Sequence, residues 1–94
     1  MTASREWDDA KRTLLVGSIV DCLVITHRPF GVFVHITGSS IVGLIERICM
    51  NHGTPAAPID YPQIGSHVRA VVLGFRDWSH QAELALLERD SMSG

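Results

Sequence analysis

The sequence lacks the charge and hydropathy features that mark several common protein classes. It shows no basic excess, since 8 Lys and Arg stand against 10 Asp and Glu, and any nucleic-acid interface therefore has to rest on a local patch. No apolar run approaches the roughly 18 residues that a membrane-spanning helix needs. No basic segment followed by an apolar one opens the sequence, which would be the pattern of a secretory signal. We therefore expect neither a membrane protein nor a secreted one.

Cysteine and histidine are too few and too scattered to predict a metal site. The two cysteines, Cys22 and Cys49, lie far apart in the sequence, and the five histidines show none of the paired spacings that zinc sites use. We expect no metal and no other cofactor. Two thiols without a partner spacing are typical of a reduced protein, which predicts a cytoplasmic location.

Aromatic residues are also scarce, at 6%, although the hydrophobic content is 46%. This apolar content excludes a disordered tail, and a length of 94 residues predicts one domain. A chain this short buries roughly 60 to 65% of its unfolded surface, so it folds alone with little margin. An aromatic ring on the solvent face of so small a domain then needs a use, such as base stacking or a protein partner.

The residue pattern predicts one short helix followed by five short strands. Residues 4–12 have helical character, with Ser4 as the N-cap and Trp7 and Ala10 facing the domain. Runs of apolar and β-branched residues between turn residues predict the strands, at 18–26, 30–37, 41–45, 67–75 and 82–88. The proline-rich connection 46–65 excludes long regular structure between the third strand and the fourth.

This order of elements predicts an all-β fold. Five strands with the longest connection after the third favour the five-stranded Greek-key OB-fold barrel, here with a short N-terminal helix. Closure of the barrel removes exposed sheet edges. The expected organisation is an N-terminal helical extension at 1–13, a barrel domain at 14–89 and a flexible tail at 90–94.

Four segments resemble the RNA-binding repeat first named in ribosomal protein S-one. They are VGSIV at 16–20, FGVFV at 30–34, GLI at 43–45 and IGSHVRAVV at 64–72. The resemblance extends over residues 15–87, and the helix with Trp7, Ala10 and Lys11 is similar to the one that opens short stand-alone members of the family. It implies a barrel that binds single-stranded RNA on the face of strands two and three.

The resemblance also implies site residues, some of which this chain replaces. The two aromatics of the family's motif correspond to Phe30 and Phe33. Glu46 stands where the family has a histidine, and Arg76 falls near the position of its aspartate. No arginine stands clearly at the last position of the family's cluster, near Gln81. The aromatic half of the site is therefore kept, while its polar half differs.

Strand alternation predicts the same binding face independently of the family resemblance. If Val32 and Val34 point into the core, Phe33 and His35 point out of it. Rings stack on bases at about 1 to 3 kcal/mol each, and guanidinium groups meet phosphates. The predicted RNA-binding residues are Phe30, Phe33, His35, Arg28, Arg69 and Arg76. Three arginines meeting two or three phosphates predict weak binding with a salt slope of roughly −1.4 to −2.

Simpler interpretations of the same residues stay open. Phe30 can be a core aromatic beside the turn, His35 a solvated strand residue and Arg69 a surface charge. Arg28 and Arg76 can be neutralised by neighbouring carboxylates. These alternatives all predict a barrel without an RNA site on this face.

A second function class is a protein-interaction module that has lost most RNA binding. It is favoured by the net charge of −2 and by Trp78, which with Val71 and Leu73 would offer an apolar patch to a protein partner. Catalysis is not expected, because Glu46 has no partner acid, nucleophile or metal. The first prediction is thus a non-catalytic binder of single-stranded RNA, and the alternative is a docking domain.

Overall fold

One helix and five strands follow one another in the computed structural model, which describes residues 2–50 and 56–89. They are α1 (Thr2–Thr13), β1 (Ile19–Arg28), β2 (Gly31–Ile36), β3 (Val42–Glu46), β4 (His67–Arg76) and β5 (Gln81–Arg89). Two short 3-10 helices, Arg47–Cys49 and Pro58–Asp60, lie between β3 and β4. The predicted tail 90–94 lies outside the described residues. Within those residues, no helix has the length and apolar character needed to cross a bilayer.

The strands close into a barrel in the order β1-β2-β3-β5-β4. β4 returns to pair with β1, and every pairing is antiparallel except the parallel one between β3 and β5. This order brings β3 next to the first half of β5 although a long connection and β4 separate them in sequence. The predicted OB-fold barrel is confirmed.

The barrel interior follows the predicted alternation. Val32, Val34 and Ile36 of β2 are fully buried, whereas Phe33 is only partly buried and His35 is exposed. The same alternation on β4 buries its small and β-branched side chains, Val68, Ala70 and Val72. Because a strand sends alternate residues to opposite faces, these inward residues fix the outward direction of their neighbours.

Helix α1 packs against the barrel through one aromatic residue. Trp7 is buried, contacts Phe75 edge-on with ring centroids 5.6 Å apart and stacks on His80 at 5.0 Å. Ala10 is buried on the same side of the helix. The predicted cap is wrong, because the helix begins at Thr2 and Ser4 therefore lies inside its first turn.

The largest difference from the predicted strands is at the end of β1. A turn was expected from His27, but β1 continues to Arg28, which pairs with Gly31 of β2. The ring nitrogen Nε2 of His27 lies 2.7 Å from the carbonyl oxygen of Pro62. The strand continues because His27 and Arg28 pair with Val32 and Gly31, so that Pro29 and Phe30 alone form the turn.

Candidate nucleic-acid interface

Two phenylalanine rings meet on the outer surface of the barrel. Phe30 lies in the turn between β1 and β2 and is 49% exposed, and Phe33 points outward from β2. Their ring centroids are 6.0 Å apart with an interplanar angle of 80°, which is the edge-to-face arrangement that aromatic pairs prefer. One ring edge thus supports the other, and apolar π surface remains open to solvent.

The turn that carries Phe30 is held by Tyr61, a residue of the connection between β3 and β4. Tyr61 is buried and its hydroxyl donates to the carbonyl oxygen of Pro29 at 3.1 Å. Its ring also meets His27 edge-on at 5.3 Å. Because the buried Tyr61 fixes this turn from beneath, the exposed ring of Phe30 is held in a defined position.

Arg28 lies over the ring of Phe33. Its guanidinium carbon lies 5.7 Å from the centroid of Phe33, within the range of a cation–π contact. Its Nη1 makes a long contact of 3.4 Å with the carbonyl oxygen of His27. Among the residues that the structure describes, no carboxylate pairs with Arg28, and its charge is therefore available to a ligand.

A carboxylate lies on the other side of β2. The register pairs Gly31 with Arg28 on β1 and with Glu46 on β3. Adjacent strands are about 4.8 Å apart, which sets the backbones of the cation and the carboxylate about 10 Å from each other on one surface. Glu46 is also the diagonal neighbour of Phe33, whose direct partner is Leu44. This makes Glu46 part of the candidate site.

Arg76 is held between two carboxylates. Its Nη2 lies 3.0 Å from Glu46 Oε2 and its Nε donates to Glu83 Oε2 at 2.5 Å, with the arginine side chain 22% exposed. These hydrogen bonds, first the one to Glu83 and then that to Glu46, raise the pKa of Arg76 although burial opposes them. One cation between two anions leaves a net negative charge, and a phosphate approaching Arg76 has to displace a carboxylate.

His35 and Arg69 lie farther from the rings. His35 is exposed two residues beyond Phe33 and on the same outer surface. Arg69 contacts Asp21 at 3.8 Å and Glu88 at 3.3 Å. Asp21, its register partner, is five positions before Thr26, the residue of β1 that pairs with Phe33. At about 3.3 Å per residue this is about 16 Å along β1.

The structure therefore brings together only some of the six predicted residues. Phe30, Phe33 and Arg28 form one cluster, His35 shares their surface, Arg76 adjoins it through Glu46, and Arg69 lies apart. From the sequence, Glu46 was a departure from the family and a carboxylate without catalytic partners, and it was not predicted as a binding residue. Strand alternation was the available signal, since the buried Ile45 beside it directs Glu46 outward.

A second exposed aromatic lies elsewhere on the barrel. Trp78 is 83% exposed at the tip of the β4–β5 hairpin, and it does not fold back onto the core. Leu73 is exposed on β4, and Val71 is partly buried. Leu73 therefore lies about 10 Å along β4 from Arg76, where the strand ends and the hairpin turn with Trp78 begins.

Comparisons with known proteins find likeness in structure only. No protein-family model and no curated protein sequence match the chain. The solution structure of GSP13 from Bacillus subtilis is 22% identical with a TM-score of 0.66, over 77% of this chain and 55% of GSP13. The a/eIF2alpha–aDim2p–rRNA complex from Pyrococcus horikoshii gives 18% identity and a TM-score of 0.64, over 77% of this chain and 44% of the matched one.

A third similar structure is Mycoplasma genitalium RNase R in complex with ribose-methylated single-stranded RNA. It is 14% identical with a TM-score of 0.70, over 92% of this chain and 15% of the RNase R chain. The chain thus spans about half of GSP13 and a small part of RNase R. At these identities the likeness establishes the barrel alone, and the fold is the OB-fold that the resemblance to the S-one repeat implied.

Proposed function

We propose that this chain binds single-stranded RNA on the outer surface of β2 and β3, without catalysis and with modest affinity. The observation that carries the proposal is the pair of exposed rings, Phe30 and Phe33, with the guanidinium group of Arg28 above Phe33. Unpaired bases stack on exposed aromatic rings and on arginine planes alike. In a duplex the faces of the bases are already stacked on one another, and single strands are therefore the favoured ligand.

Stacking on Phe33 involves Arg28 directly. The guanidinium carbon is 5.7 Å from the ring centroid of Phe33. This gap is too narrow for a base to stack on both groups, so a base that inserts between them displaces Arg28 outward. Arg28 then covers the far face of the base or contacts its phosphate. Phe30 offers its exposed ring to a neighbouring base.

Modest affinity follows from the charges. Arg69 and Arg76 each contact two carboxylates, and their release for phosphates loses those ion pairs. Stacking and Arg28, which pairs with no carboxylate of the described residues, provide most of the binding free energy. The likeness to RNase R, determined in complex with single-stranded RNA, and to a chain of an rRNA complex supports this ligand class.

Titration of a labelled single-stranded RNA by fluorescence anisotropy tests the proposal. Phe33→Leu keeps an apolar side chain but removes the ring, and we expect it to weaken binding about 5- to 150-fold, the equivalent of about 1 to 3 kcal/mol for one stacked base. Trp78→Leu is the matched control, because it removes an exposed ring from the hairpin tip. Absence of binding at tens of micromolar in low salt, or equal losses for both variants, contradicts the proposal.

Protein docking is a second candidate function, favoured by the 83% exposure of Trp78 together with the exposed Leu73. Large exposed aromatics are enriched among the residues that anchor protein interfaces. Affinity capture with and without nuclease separates the two functions. A partner that survives nuclease and is lost with Trp78→Ala supports docking, whereas partners that disappear with nuclease treatment argue against it.

A further inference from the structure

The aromatic surface has opposite charges on its two sides. Arg28 lies on the β1 side of Gly31 and Glu46 lies on the β3 side, about 10 Å apart between backbones. Beyond Glu46 lies Glu83, and these two carboxylates both contact Arg76. A bound strand therefore has its phosphate attracted toward β1 and repelled from β3. The base of the same nucleotide then extends toward Glu46.

Glu46 has the exposure and the fixed orientation that base recognition requires. Its side chain is 44% exposed, and its Oε2 accepts from Arg76 Nη2 at 3.0 Å. Arg76 is in turn held by Glu83 at 2.5 Å. Each carboxylate oxygen has more than one acceptor site, so the group keeps capacity for a ligand. Diagonal neighbours across two strands are within reach of long side chains, and Phe33 is such a neighbour of Glu46.

We infer that Glu46 recognises the Watson–Crick edge of the base stacked on Phe33, and that the base it selects is guanine. This inference rests on the proposed function, since it names the preferred ligand of the same site. An ionised carboxylate only accepts hydrogen bonds. Guanine presents two adjacent donors on this edge, N1–H and the exocyclic N2 amine, and can bind both carboxylate oxygens at once.

The other bases present an acceptor where guanine presents its second donor. Adenine and cytosine each have one amine beside a ring nitrogen with a lone pair, and uracil has one N–H between two carbonyl groups. Placing such an acceptor against Glu46 leaves two lone pairs facing each other. A good bidentate contact discriminates against the wrong base by about 5- to 150-fold.

The experiment uses labelled hexaribonucleotides of uridine with one central guanosine, inosine or adenosine. Inosine keeps N1–H but lacks the N2 amine, so it tests the second hydrogen bond without changing the stacking surface. The wild-type chain is expected to bind the guanosine oligonucleotide at least about 5-fold more tightly than either of the others. In Glu46→Gln the side-chain amide places a donor against a donor, and the preference is expected to disappear.

A matched variant separates base reading from charge. Glu88→Gln removes the same charge on β5, beside Arg69, and is expected to keep the guanosine preference. Equal binding of guanosine and inosine by the wild type overturns the inference and leaves the proposed function standing. A preference that survives Glu46→Gln, or that Glu88→Gln also removes, overturns it as well. Failure of every oligonucleotide to bind overturns both proposals together.

Discussion

At the scale of single residues, the geometry of the aromatic surface depends on Gly31. A Cβ atom built on Gly31 would lie 2.3 Å from the carbonyl oxygen of Ile45 and 2.9 Å from Cα of Glu46. Both are backbone atoms, which cannot rotate away as a flexible side chain does. The glycine is therefore what allows β2 and β3 to approach each other beside Phe33.

Gly31→Ala is expected to lower the free energy of unfolding by about 1 to 3 kcal/mol or more, because the added methyl group forces the two strands apart. Chemical denaturation monitored by circular dichroism measures the change. Gly74→Ala is the control, since its nearest atom would be Glu83 Oε1 at 3.9 Å. Similar losses for both variants would show that the close approach at Gly31 is not the cause.

Cys22 makes the stability of the barrel sensitive to alkali. Burial in the core, with a smaller contribution from Asp21, raises the pKa of this thiol from 9.0 to about 12. Because the pKa of Cys22 is higher in the folded state than in the unfolded state, the contribution of the thiol to folding stability is complete below the unfolded pKa. This contribution is lost as the pH rises toward the folded pKa. Between pH 9 and pH 11 the loss is about 2 to 3 kcal/mol, at about 1.36 kcal/mol per pH unit.

Urea denaturation at several pH values tests this expectation. The free energy of unfolding of the wild type should fall between pH 9 and pH 11 by about 2 to 3 kcal/mol more than that of Cys22→Ala. The alanine variant starts from a lower stability because it leaves a cavity, so the comparison is between pH slopes. Parallel slopes would rule out the buried thiol as the source of alkaline sensitivity.

At the scale of elements, α1 depends on the β4–β5 hairpin for its position. The indole Nε1 of Trp7 donates to Asp77 Oδ1 at 2.9 Å, and Lys11 Nζ donates to the same oxygen at 2.8 Å. The hydrogen bond from Lys11, followed by the one from Trp7, lowers the pKa of Asp77 below its ordinary value. A helix of three turns is not stable alone in water, and these contacts with the aromatic packing hold it.

Acid should therefore loosen the helix. Because the folded pKa of Asp77 lies below the unfolded one, its contribution is present above the unfolded pKa and is lost as the pH falls through the folded pKa, below about pH 4. In a Trp78→Phe background the emission of Trp7 reports the docking. We expect a red shift below about pH 4, and the same shift at neutral pH in Asp77→Ala.

Asp8→Ala is the control for the helix prediction, because Asp8 is an exposed residue of α1. It should leave the emission of Trp7 unchanged at neutral pH. An Asp77→Ala variant with wild-type emission would show that aromatic packing against Phe75 and His80 is sufficient to hold the helix.

At the scale of the whole molecule, the distribution of charge determines how RNA binding should respond to salt. Three arginines were expected to meet phosphates, but Arg69 and Arg76 are engaged by carboxylates on both sides. Arg28 contacts an aromatic ring instead. We therefore expect one or two phosphate contacts rather than the two or three predicted from the sequence.

The logarithm of the association constant is expected to fall with the logarithm of salt concentration with a slope of about −0.7 to −1.4. Arg28→Gln should make this slope shallower by about 0.7, which is one phosphate contact. Arg69→Gln should leave it unchanged, because Asp21, the register partner of Arg69, lies about 16 Å along β1 from the partner of Phe33. A slope steeper than about −2, or an equal effect of both variants, would show that Arg69 also contacts a phosphate.

Most of the fold was predictable because strand periodicity is local information. The alternation of β2 directs Val32 and Val34 inward and Phe33 outward whatever the rest of the chain does. The prediction was wrong at the end of β1, because the turn there needs only Pro29 and Phe30 and leaves His27 and Arg28 to pair with β2.

The sequence by itself determined the strands, the helix and the outward direction of Phe33, because each follows from hydrophobic periodicity and turn residues within a few positions. Only the tertiary structure decided the charges around those rings. Arg76 meets Glu46 because β5 inserts between β3 and β4 and pairs with both, which brings residues of separate strands within hydrogen-bonding distance. Ion pairs between distant segments depend on closure of the barrel, and no local pattern specifies them.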